Sequence, residues 1–174
     1  MTTSTHPTYH RLLDLLQQGG ARYRLIDHPA EGHTGPASLL RGNPLDQAAK
    51  CLVVRVALGR RARRYVLAVV PGDRRVDLDG LCALYGGTEA SFATRSVAED
   101  LAGSVSGSIL PFAFHPDLDL VADPDLLEHD EIFFNAARLD RSMSLATADY
   151  VALAAPRVAR IAQQPRASFA AVRT

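Results

Sequence analysis

The sequence predicts an α+β fold with a mixed β-sheet. Three observations carry this. A strong hairpin pattern lies in the first half of the chain, helical stretches flank it on both sides, and the two element types do not alternate as strictly as a doubly wound parallel fold requires. The 174 residues contain no repeat, low-complexity block or Pro/Gly-rich linker, so residues 1–174 read as one domain with its core over about 8–165.

Leu12, Leu13, Leu15 and Leu16 share one helical face, and Gly19-Gly20 stops that helix. A strand follows over 22–27 and ends at His28-Pro29, because the residue before proline avoids helical backbone. Thr34 is placed to cap a short helix over 36–41. The runs KCLVVRVAL and YVLAVVPG, joined by GRRARR, form a hairpin whose continuously apolar strands predict a central position with both faces covered. Asp77 heads a helix carrying Leu78, Leu81 and Cys82, which Gly86-Gly87 closes. Ser96-Val-Ala-Glu99 has the form of a capping box for another short helix. After a loop over 103–114, LDLVAD, EIFFNA and SMSLA read as strands. Thr147 caps a helix through Leu153 that resumes after Pro156 as RVARIAQQ, and the last ten residues are expected to be loosely held.

Nineteen basic and nineteen acidic residues cancel, which argues against a protein held on nucleic acid or membrane by bulk charge. Cys51 and Cys82 are too few for a disulfide framework and lack metal-site spacing. The start MTTSTHPTYHRLLDLL is not a signal peptide, and no apolar run approaches the roughly 18 residues of a membrane span. A cytoplasmic location follows as an expectation. Within the basic set, eighteen residues are arginine and Lys50 is the lone lysine. A codon bias explains the scarcity but not why one lysine remains. At the head of an apolar strand it either snorkels to water or supplies a compact cation that a planar guanidinium cannot replace.

No metal site is expected, since His6 and His10 sit four apart without a carboxylate partner and the other histidines are scattered. Cys51 neighbours Lys50 in a strand, so their side chains leave opposite faces and the lysine does not activate the thiol. Arg60, Arg61, Arg63 and Arg64 read equally as a solvated turn and as a phosphate-contacting patch for RNA. Small residues in the 103–114 loop let backbone N–H groups approach a ligand and act as an anion or oxyanion cradle. That loop is neither a Walker loop nor a dinucleotide fingerprint, and a plain mobile connection is the other reading.

Several segments, in order, resemble the YbaK/prolyl-tRNA-synthetase-associated editing domain family. They are LIDHP ahead of Thr34 and its helix, QAAKCLVV, LAVVPGDRRVDL, AGSVSGSILPFAF and DEIFFNAARLDRSMSLATADYVAL, together spanning about residues 10–155. The resemblance implies a mixed, partly barrel-like sheet with flanking helices. It also implies a freestanding hydrolase that deacylates mischarged aminoacyl-tRNA, typically tRNA for proline carrying alanine or cysteine. It implies no cofactor, aminoacyl-tRNA as substrate and prolyl-tRNA synthetase as a partner. Carried over, Lys50, Gly107 and Ser108 become catalytic, with Lys50 holding the terminal phosphate or ribose and the tRNA's own hydroxyl assisting a water. His28, Thr34, Ile109, Pro111, Phe112, Asn135 and Asp140 become substrate-binding, and Phe134 joins Ile109 and Phe112 as a guess at the pocket lining. The sequence departs from the family at Ser108, Ala113 and Ala137, where glycine is usual. A noncatalytic tRNA- or synthetase-binding module of this fold, and an acyl-ester hydrolase that needs no RNA, remain the other readings.

Overall fold

The structure is a computed structural model that describes residues 6–165. The first helix, α1 (Pro7–Gln18), buries Tyr9, Leu12 and Leu16, as its apolar spacing requires. Then come β1 (Tyr23–Asp27), α2 (Thr34–Arg41), a 3-10 turn (Leu45–Gln47), and the hairpin strands β2 (Ala49–Ala57) and β3 (Arg63–Pro71). Next are α3 (Leu78–Leu84), β4 (Glu89–Phe92), α4 (Arg95–Ala102) and, past the small-residue loop, β5 (Leu118–Ala122). The chain continues through β6 (Glu131–Asn135), β7 (Arg141–Ala146), α5 (Thr147–Ala154) and β8 (Arg157–Val158).

The strands form two sheets, one ordered β1-β7-β6 and the other β4-β2-β3-β5-β8. The second is mixed, because β2 pairs antiparallel with β3 and β4 while β5 runs parallel to β3 and β8. The two sheets meet at a bridge between Ala48 and Phe133 and do not close into a barrel. The hairpin strands are central, and each face is covered by its own core. Val53, Leu67 and Val69 pack with Leu12, Leu16, Phe134 and Tyr150, whereas Val54, Val66 and Ala68 pack with Leu81 and Ile161. This is why both strands read as unbroken apolar runs.

Four local expectations are corrected. Residues 157–164 do not resume a helix. They form the edge strand β8 and then an extended strap held by Asp123, a carboxylate 1% exposed that accepts the N–H groups of Ile161 and Ala162 at 2.9 and 2.8 Å. That anchor lies 38 residues upstream, out of reach of any local pattern. The edge strand β4 was not legible, since EASF has no clear apolar alternation. Thr94, not the Ser96 box, caps α4 by accepting from Val97 N–H. Thr34 and Thr147 are the first residues of α2 and α5, with His33 and Ala146 at the caps. The chain end expected to be loose lies outside the described residues from 166 onward.

Asp123→Ala leaves two or more buried N–H groups without an acceptor, each worth about 1–3 kcal/mol. We expect it to destabilise the fold by about 3 kcal/mol in urea unfolding, with hydrogen exchange rising first at Ile161 and Ala162.

Candidate active site

A cleft of about 250 Å³ opens where β2 leaves the 3-10 turn. Lys50, Cys51 and Leu52 of β2 form one side, Phe134 and Asn135 of β6 another, and Thr34, Ala37 and Arg41 of α2 a third. Gly32 and His33 complete the rim with Gly107 and Ile109 from the small-residue loop. Strand alternation sends Lys50 and Cys51 to opposite faces of the sheet, so the cleft wraps round the edge of β2.

The side-chain amide of Asn135 organises this site. Its Nδ2 donates to the carbonyls of Glu31 and Gly107 at 2.8 and 2.9 Å, which fixes the amide orientation. Its Oδ1 then accepts from Arg41 Nη1 at 3.2 Å and from the Ser142 hydroxyl at 2.9 Å. His28 completes the network: Nδ1 donates to the Pro29 carbonyl at 2.8 Å, and Nε2 faces Ser142 Oγ at 2.6 Å.

Gly107 is required by space as well as by backbone. Its φ is +90°, and a Cβ there would sit 2.7 Å from Gly32 Cα and 2.9 Å from Gly32 O. Two glycine backbones therefore touch directly, and Asn135 ties both of their loops together. Among the described residues, no hydrogen bond uses the N–H of Gly107 or Ile109, whereas Ser108 N–H is spent on the Val105 carbonyl at 3.0 Å.

The cleft is cationic. Arg41 donates to Asn43, Ser38, Asn135 and Ser142, all neutral, and burial lowers its pKa to about 10. Burial, and secondarily Arg75, lower the Lys50 pKa below the ordinary lysine range, partly offset by Asp73. None of the residues lining the cleft is acidic. Burial also pushes the Cys51 thiol well above the usual thiol range, so it stays protonated and is no nucleophile. No group of three His, Cys, Asp or Glu placed to hold a metal occurs among the described residues.

Residues 37–153 match the family model of the aminoacyl-tRNA editing domain. This chain belongs to that family. It is 46% identical over 150 residues, or 86% of this chain and 89% of the other, to the Multifunctional Ser/Thr-tRNA deacylase ProXp-y of Escherichia coli (strain K12). Two solved structures share the fold. A hypothetical protein superposes with a TM-score of 0.79 at 21% identity, covering 88% of this chain and 99% of its own. A candidate trans-editing enzyme for prolyl-tRNA synthetase gives 0.74 at 24% identity, covering 92% and 100%. The protein is thus an aminoacyl-tRNA deacylase of the editing-domain family.

Of the residues singled out in the sequence, this editing domain brings Lys50, Thr34, Gly107, Ile109, Phe134 and Asn135 to the cleft. Several others lie elsewhere. Ser108 is fully buried and its hydroxyl donates to the Val105 carbonyl at 2.8 Å. Pro111 is buried outside the lining, and Phe112 packs in the core against Phe134 and Tyr150. His28 meets the cleft only through Ser142 and Asn135. Asp140 is exposed beside a separate hollow, paired with Arg138 at 2.9 and 3.1 Å. Arg60 and Arg61 occupy the hairpin turn, but Arg63 and Arg64 belong to β3. All four are exposed, and the turn lies seven residues along β2 from Lys50, about 23 Å at strand spacing.

Arg41 and Ser142 were missed. Nothing local marks Arg41 among eighteen arginines; only the fold carries it to a site without acids. The departure at Ala137 has a backbone meaning, because its φ is +59°. The glycine-favouring conformation is retained here although the glycine is not. Left-handed backbone costs an L-residue roughly 1–2 kcal/mol. Ala137→Gly should therefore raise stability by up to about 1 kcal/mol, read as a higher midpoint of thermal unfolding. Gly107→Ala should do the opposite, losing more than about 2 kcal/mol through backbone strain and the collision with Gly32, and lowering deacylation with it.

Proposed function

We propose that this deacylase removes serine and threonine from mischarged tRNA in trans. The observation that carries this is the 46% identity to a Ser/Thr-tRNA deacylase across most of both chains. The cleft supports it chemically: about 250 Å³ is small for a ligand site, and Thr34 brings a hydroxyl to a lining that includes Ala37 and Ala49. A site able to hydrogen-bond a substrate hydroxyl discriminates far better than one measuring a methyl group. Alanyl- and cysteinyl-tRNA for proline are the competing substrates of the same reading. Association with prolyl-tRNA synthetase would supply tRNA selectivity, but ester hydrolysis does not require it.

In this mechanism Lys50 and Arg41 take the terminal phosphate, whose negative charge favours the charged form of Lys50 that burial disfavours. The ester carbonyl then lies toward the loop, where the N–H groups of Gly107 and Ile109 receive the developing oxyanion. A water attacks the carbonyl, the C–O bond to the ribose breaks, and the ribose oxygen leaves with a proton. The neighbouring ribose hydroxyl of the substrate positions that water. An aminoacyl ester is already activated, so a protein nucleophile is unnecessary. The exposed arginines at 60–64 contact tRNA phosphates away from the cleft.

Seryl-, threonyl-, alanyl- and cysteinyl-tRNA are assayed with wild type, Lys50→Ala and Lys50→Arg. Serine and threonine should be released fastest. Lys50→Ala should lower kcat/KM by about 10²-fold, and Lys50→Arg should recover only part of that loss. Undiminished turnover by Lys50→Ala removes the lysine from the mechanism, and preference for alanine or cysteine overturns the substrate assignment.

A further inference from the structure

We infer that the free edge of β2 at Cys51 reads the α-ammonium of the aminoacyl group through its main-chain carbonyl. The inference rests on the deacylase reading above and adds the group that recognises the amino end of its substrate.

Strand register fixes where the Cys51 main chain points. In an antiparallel pair, opposed residues alternate between exchanging two hydrogen bonds and exchanging none. Ala49 lies opposite Pro71, which has no N–H, so that pair cannot exchange two. Cys51 lies two residues on, opposite Val69, whose carbonyl accepts Asp123 N–H at 2.9 Å and so faces away from β2. On the far edge of β2, Val53 and Ala57 carbonyls accept from Ala93 and Thr88 at 2.9 and 2.8 Å. Odd-numbered residues of β2 therefore direct their main chain away from β3.

On that outer edge Cys51 has no strand opposite. The β4 ladder begins at Val54, and β6 bridges β2 at Ala48. The cleft occupies the gap between them, with Ala49 to Leu52 along one side and Phe134 and Asn135 along the other. An edge carbonyl so placed is an acceptor waiting for a donor.

The electrostatics say which donor. An aminoacyl ester brings an ammonium, with three N–H donors and no acceptor, into a cleft already holding Lys50 and Arg41. No carboxylate lines the cleft to neutralise it; the adjacent Glu31 lies outside the lining and turns its Oε1 to the N–H and Nδ1 of His33 at 2.9 and 3.0 Å. Among the neutral acceptors at the cleft, the Cys51 carbonyl is the one on the open strand edge, and a donor there completes the interrupted ladder. Recognition through the main chain is blind to the aminoacyl side chain but demands a free amine. N-acylated esters, peptidyl-tRNA among them, would offer no ammonium and would be spared.

The experiment compares seryl-tRNA, N-acetylseryl-tRNA and the deaminated 3-hydroxypropionyl-tRNA, each rate divided by its own uncatalysed hydrolysis. Both altered esters should fall about 10- to 100-fold below seryl-tRNA, the range of one charge-assisted hydrogen bond. Normalised rates within twofold of seryl-tRNA for both overturn the inference and leave the deacylase standing. Loss with the acetylated ester alone means steric exclusion and also overturns it. No turnover of seryl-tRNA overturns the inference together with the deacylase reading beneath it. Cys51→Ala separates main chain from thiol: the ratio between seryl and deaminated esters should persist, and its collapse would assign recognition to the side chain instead.

Discussion

The carboxamide of Asn135 is the interaction on which the site depends. One side chain donates to two touching loops at the rim of the cleft and accepts from Arg41 and Ser142. Removing it would free the Gly107 loop from Glu31 and leave a half-buried guanidinium without one of its acceptors. Because the amide is saturated by protein groups, its part is to position others rather than to touch substrate. The contact between Gly32 and Gly107 follows from the same clamp: with the loops drawn this close, position 107 has room for hydrogen only.

Chemistry in the cleft is set by what is missing from its lining. Two cations without acids make a place for a phosphate, and unspent N–H groups make a place for an oxyanion. A half-buried thiol that its surroundings keep protonated does not compete for the ester. In the proposed mechanism the site needs no nucleophile because its substrate is activated, and the energy it contributes is electrostatic positioning in a partly desolvated space. The interrupted β2 ladder belongs to the same design. Continuing β4 or β6 along that edge would satisfy the main chain and close the cleft.

The central hairpin was legible because burial of both faces leaves unbroken apolar runs at β2 and β3, and Lys50 was legible because it stands alone among arginines. Elements held by distant partners were not. The strap after β8 owes its course to the Asp123 carboxylate, and β4 to an available edge rather than to its own pattern. Within the site, Gly107 was visible as a residue type and Ile109 lines the cleft as expected, but proximity in sequence misplaced Ser108 and Phe112. Ser108 turns inward to Val105, and Phe112 belongs to the aromatic core.

By itself the sequence determined the α+β class, the central hairpin and a lysine at the head of its first strand, since periodicity and residue type are local properties. Tertiary structure alone decided that Arg41 faces no acid, that Asp140 lies outside the cleft, and that Cys51 borders a gap between strands. Those depend on register and on packing between segments about a hundred residues apart, such as the 94 that separate Arg41 from Asn135. The charge balance of zero is the clearest case: it is a sum over the whole chain, while the proposed function rests on two cations that share a cleft with no acidic lining residue.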